Sequence, residues 1–130
     1  MILDLLFSIP FVAFFHEAGH YAFGRRDGAR LKVVKWFGIP TIGVSLCPAN
    51  MTVFDYLALL FAGFAFSLPV VLLTSFVSLK LMLVLFLVAF GFALADFYFF
   101  FRLLFEVVVG NAGLEDRVYS VVDFNLKVFE

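Results

Sequence analysis

The chain has 130 residues, enough for one domain, and a net charge of -1 from 9 Lys+Arg against 10 Asp+Glu. No basic field exists to hold nucleic acid, and that class of partner is set aside. Hydrophobic residues make up 65%, charged residues 15%, and mean hydropathy is +1.11, against roughly half and a quarter in a soluble domain, so lipid is the expected solvent.

A membrane-spanning helix needs about 20 mostly apolar residues. The first such run is 2–23, with Pro10 as a point of kinking. It lacks a basic leader region and contains His16-Glu17-Ala18-Gly19-His20, so it reads as a retained span, not a cleaved signal. A polar segment comes next, 24–53, opening Arg25-Arg26-Asp27-Gly28-Ala29-Arg30. Within it two short runs rich in β-branched residues flank Gly38-Ile39-Pro40, which predicts a β-hairpin over about 31–46. Cys47 has no partner for an internal disulfide and reads as a small buried or interfacial residue.

Pro48 and Asn50 lead into the second span, 54–78, which contains Pro69. Leu79 and Lys80 then form a tight connection to the third span, 81–101, giving an antiparallel pair. Gly110-Asn111-Ala112-Gly113 marks a turn in a short tail, 106–130. Residues 122–128 alternate strictly between apolar and polar, a strand signature. The expected fold is therefore mainly α: three transmembrane helices, a hairpin between the first and second, and a short C-terminal tail. Five of the nine basic residues (Arg25, Arg26, Arg30, Lys32, Lys35) come just after the first span, which puts that loop in the cytoplasm and the N-terminus outside. Trp36, Phe37, Tyr21, Tyr56 and Tyr98 fit interfacial anchoring in any reading.

Ionisable groups inside a span are costly and usually functional. His16 and His20 stand at i and i+4, on one helix face, where two imidazoles can reach a single metal. Glu17 is displaced by about 100° and can reach water at that metal without being a ligand. This is the HExxH pattern of zinc peptidases: two ligands and a general base. The competing reading is an interhelical hydrogen-bond cluster.

A catalytic zinc site needs a third protein ligand and one open position. With only two histidines in the chain, a carboxylate is the natural candidate. Asp4 and Asp55 sit at helix ends, and Asp27 belongs to the basic loop. Glu106, Glu115, Asp116, Asp123 and Glu130 lie beyond the third span, leaving Asp96 as the acid within it. Depth supports Asp96. At about 1.5 Å per residue, His20 lies roughly 8 Å and His16 roughly 14 Å before Arg25, and Asp96 roughly 9 Å before Arg102. All three can meet in one layer below the cytoplasmic surface, although a plain polar contact from Asp96 to Arg102 is the alternative. Ala89 and Ala93 share the face of Asp96, Ala13 and Gly19 lie near the histidines, and Ala58, Ala62 and Ala65 form a stripe with Gly63 beside it. Small residues of this kind let membrane helices approach closely.

The pattern resembles the site-2 protease superfamily of intramembrane zinc metalloproteases, in a divergent, minimal three-span form. The resemblance runs from about residue 11 to 105 and rests on HEAGH within a span, with a weaker likeness of FAGFAFSLPVV, residues 61–71, to the family's second core helix. The family usually carries an Asn/Pro-containing stretch leading to Asp-Gly; here Phe97 comes after Asp96, and neither Asn nor Pro occurs between Leu81 and Asp96. The resemblance implies zinc as cofactor, His16, His20 and Asp96 as metal ligands, and Glu17 as catalytic base. It implies hydrolysis of a peptide bond within or next to a transmembrane segment of another membrane protein. The hairpin could pair with an extended substrate strand or simply cap the site. A homo-oligomer is a further expectation for so small a membrane protein. Two imidazoles and a carboxylate favour zinc over iron or cobalt, and a di-iron desaturase would need many more histidines. The non-enzyme alternative is a metal-binding membrane module or an inactive protease relative.

Overall fold

The computed structural model describes residues 1–36, 38–45 and 51–115. Three long helices carry the fold: α1 (Ile2–Gly24), α2 (Val53–Leu73) and α3 (Leu79–Val108). Between α1 and α2 lies an antiparallel hairpin of β1 (Arg30–Trp36) and β2 (Ile39–Ser45). All three helices are long and apolar enough to cross a membrane, α1 together with the short turn at its end. Large apolar side chains cover their outer faces: Phe7 is 73% exposed, Phe76 87% and Leu87 69%. Water would penalise such a surface, whereas hydrocarbon accepts it, and helices satisfy their own backbone groups there. The protein is thus mainly helical and fits a multi-pass membrane protein.

α1 runs through Pro10, and α2 through Pro69. After α1 one 3-10 turn, Arg25–Asp27, reaches Gly28, whose φ of 91° is left-handed and suits glycine alone without strain. The Ala29 amide bonds back to the Gly24 carbonyl at 3.1 Å, and β1 begins directly. The hairpin register pairs Val34 with Thr41 and Lys32 with Gly43. Gly38, with φ 81°, occupies the turn. β2 ends at Ser45, so Leu46, Cys47 and the Pro48–Asn50 lead-in fall outside the described residues, as do Phe37, Asp116, Asp123, Glu130 and the strand predicted over 122–128.

The α2–α3 connection differs from its sequence reading. α2 stops at Leu73, where Thr74 turns its hydroxyl back onto the Val71 carbonyl at 2.6 Å and a 3-10 turn begins. Ser78 caps α3, its Oγ accepting from the Leu81 amide. Leu79 and Lys80 are consequently helical, and the connection is 74–78. α3 also continues seven residues past Phe101, because helical bonding does not stop where hydropathy does. It ends at a left-handed Gly110 (φ 83°), with the Asn111 amide closing on the Glu106 carbonyl at 3.0 Å. The chain then returns to the start of α2, where the Phe54 amide donates to the Leu114 carbonyl at 3.1 Å.

Two apolar clusters lie along the bundle. One joins Met51, Val53, Tyr56, Leu57, Leu59 and Leu60 to Leu103. The other joins Val12, Val71, Leu81, Leu85 and Ala89. Along each helix the residues between these clusters face one another: 16–20 on α1, 62–63 on α2 and 93–96 on α3. α1 and α2 touch backbone to backbone at this level. A Cβ built on Gly19 would collide with the Ala62 carbonyl oxygen, and would stand 3.0 Å from the Gly63 Cα. Ala89 and Ala93 are fully buried on α3, so a carboxylate one turn further on can approach the other two helices.

Candidate functional site

The layer between the clusters is polar. His16 and His20 are both buried, at 5% and 7% exposure, and their rings stand perpendicular with centroids 4.7 Å apart. Their Nε2 atoms are 3.1 Å apart. Asp96 Oδ2 lies 3.0 Å from each of them. The i, i+4 spacing on α1 and the depth of Asp96 on α3 thus bring three side chains to one point. Asp96 pairs with the two histidines rather than with Arg102. Among the described residues this is the one group of three or more His, Cys, Asp and Glu side chains whose ligating atoms converge.

Main chain fixes the orientation of His20. Its Nδ1 stands 2.9 Å from the Leu59 carbonyl oxygen, which can only accept, so Nδ1 carries the hydrogen and donates. In the neutral ring Nε2 then holds a lone pair. That lone pair faces a carboxylate oxygen and the Nε2 of His16. Such a meeting of polar atoms at about 3 Å needs a hydrogen or a cation between them: an N–H on the His16 ring, or a metal ion.

The residues present fit a metal. Ligands at 2.0–2.2 Å around a tetrahedral zinc stand about 3.3–3.6 Å from one another, and the three atoms here, 3.0–3.1 Å apart, would have to spread by a few tenths of an ångström to take one. The bond from His20 Nδ1–H to a carbonyl is the outer contact that ligating histidines commonly make. His16 differs, because its Nδ1 is the one buried side-chain polar atom without a hydrogen-bond partner among the described residues.

Gly63 forms the floor beneath both rings. A Cβ there would lie 2.6 Å from Cε1 and Nε2 of His20 and 3.0 Å from Cε1 of His16. Sequence reading marks Gly63 only as a neighbour of an alanine stripe and does not find Leu59 at all. The signal for Gly63 is present in Ala62-Gly63 at mid-span. A carbonyl is common to every residue, so Leu59 leaves no signal.

Glu17 is half-buried and lies beside the convergent group, not in it. With His16 it lines a cleft of about 100 Å3, closed by Ala13 on the same helix, by Phe92 on α3 and by the Val34, Thr41, Ile42 and Gly43 stretch of the hairpin. Phe92 stacks at a tilt on His16, with centroids 6.4 Å apart. The Thr41 hydroxyl is taken up by the Val34 carbonyl at 3.3 Å. Of the other candidate carboxylates, Glu106 accepts from the Asn111 side-chain amide at 3.1 Å and is remote from the cluster along α3.

Comparison with family models, with curated proteins and with solved structures finds no match to this chain.

Proposed function

We propose that this chain is an intramembrane zinc metalloprotease of the site-2 protease type, hydrolysing a peptide bond within or next to a transmembrane segment of a membrane protein. One observation carries the reading: two imidazole nitrogens and one carboxylate oxygen, from helices apolar enough to span a bilayer, converge within 3.0–3.1 Å. His16, His20 and Asp96 would hold the zinc. Bound there, the ion would supply a Lewis acid that makes water nucleophilic near neutral pH. Glu17, on the wall of the adjoining cleft, takes the proton from the attacking water on its carboxylate and passes it to the leaving amine. His20 is kept in the ligating tautomer by the Leu59 carbonyl. The positive-inside rule, applied to the basic residues just beyond α1, favours a layer nearer the cytoplasmic face with the N-terminus outside.

A peptide bond inside a helix hides its carbonyl in a hydrogen bond, so a substrate must unwind locally to be cut. Zinc content of detergent-purified protein tests the centre, wild type beside Asp96→Ala. About one zinc per chain, sharply reduced in the variant, is the expected result. No zinc in the wild type would leave a buried hydrogen-bond cluster. Cleavage of helix-breaking transmembrane reporter peptides by the wild type and not by Glu17→Gln would then establish the activity. Zinc retained with no cleavage would favour a metal-binding membrane module.

A further inference from the structure

The cleft beside His16 and Glu17 is small and mostly apolar in lining, with His16, Glu17 and Thr41 as its polar members. Ala13 stands one turn before both residues, on the face of α1 that carries them. On the hairpin side Gly43 is buried in β2, where a Cβ would meet the Val34 side chain of the paired strand at 3.0 Å. Ile42 and Phe92 close the sides. The polar group on the hairpin wall, the Thr41 hydroxyl, is bonded to backbone. An apolar cavity of about 150 Å3 holds benzene, and this one measures about 100 Å3. That volume matches a side chain of one to three carbons more closely than an aromatic ring.

We propose that this cleft is a specificity pocket that accepts a small apolar substrate side chain, alanine to valine, next to the bond to be cut. The inference deepens the protease reading and rests on it. Ala13 and Gly43 are the smallest residues of the lining, and Ala13 is the one through which α1 limits the space. Phe92 ties pocket to centre, since it lies one turn before Asp96 and packs on His16. A bulky residue would have to displace the hairpin or press on the His16 ring.

N-acetyl amino-acid hydroxamates test the pocket, because the hydroxamate chelates zinc and the side chain probes the space beside it. The glycine, alanine, valine, phenylalanine and tryptophan compounds would be titrated calorimetrically into the zinc-loaded protein, with acetohydroxamate as the compound lacking a side chain. Asp96→Ala protein serves as the blank for partition into the micelle. The expected result is that the alanine and valine compounds bind about tenfold or more tighter than the aromatic ones, the usual scale for overfilling a packed site. Ala13→Leu should weaken the valine compound by about tenfold and leave acetohydroxamate unchanged, while Ile42→Ala should let the phenylalanine compound in. Acetohydroxamate binding with equal affinity across the series would overturn the pocket and leave the metal centre standing. Failure of acetohydroxamate itself to bind would overturn the metal reading, and the pocket with it.

Discussion

Gly63 lies directly against the imidazole of His20, so close that a single added carbon would stand 2.6 Å from the ring's Cε1 and Nε2. The ring cannot retreat without losing its bond to the Leu59 carbonyl. Gly63→Ala should therefore lower zinc affinity by about 10- to 100-fold, as loss of an outer contact typically does, measured by competition with a chromogenic chelator. Gly91→Ala is the control, since nothing lies within 4 Å of a Cβ there; its zinc affinity should match the wild type.

Asp96→Asn keeps the size and polarity of the side chain and removes its charge. A hydrogen-bond cluster would tolerate that change, because an amide can donate to either Nε2. A zinc site would not, so zinc at hundredfold excess over its wild-type Kd should stabilise the wild type by about 2.7 kcal/mol and the variant by far less. Thermal unfolding in detergent, with and without zinc, reads the difference. Equal shifts in both proteins would remove Asp96 from the ligand set.

Gly19→Ala meets backbone where Gly63→Ala meets a side chain. The added carbon would lie 2.7 Å from the Ala62 carbonyl carbon and 3.0 Å from the Gly63 Cα, and neither can rotate away. α1 and α2 must separate, at a cost of about 1–3 kcal/mol. The melting temperature should fall, and zinc affinity with it, because the two histidines travel with α1.

Gly38→Val should loosen the hairpin and spare the helices. The residue sits at φ 81°, where a side chain costs about 1–2 kcal/mol. A two-stranded hairpin is marginal by itself, so hydrogen exchange at the amides bonded between β1 and β2 should quicken by about tenfold. Exchange in α1 to α3 should stay as it was. Unchanged hairpin exchange would mean that the helix contacts of β2, not its turn, hold it in place.

Much of this arrangement is legible in the sequence. Three spans come from hydropathy alone, and the hairpin from β-branched runs around a turn. Counting helical rise from Arg25 and Arg102 puts Asp96 beside His16 and His20, which works because a bilayer aligns helices along one axis. The α2–α3 connection escapes such a reading because hydropathy hardly changes through it; Thr74 and Ser78 decide the break by local hydrogen bonds, which an apolar count does not register. The full length of α3 escapes it for a related reason. Arg102 and Glu106 mark where the apolar stretch ends, but a helix continues through polar residues until something such as Gly110 turns it.

Among the described residues, α2 meets the two histidines with main chain. Its share is main chain: one carbonyl at Leu59 and one bare Cα at Gly63. A side chain can be re-aimed by a change of rotamer, whereas these groups move only when the whole helix moves. Sliding α2 by one residue would carry them about 1.5 Å, half the length of the bond that holds His20. Tilting is one way such a helix accommodates a change in bilayer thickness. The aim of one imidazole is thereby geared to the ride height of a helix, and a thicker or thinner lipid would be felt at His20 before any ligand had changed.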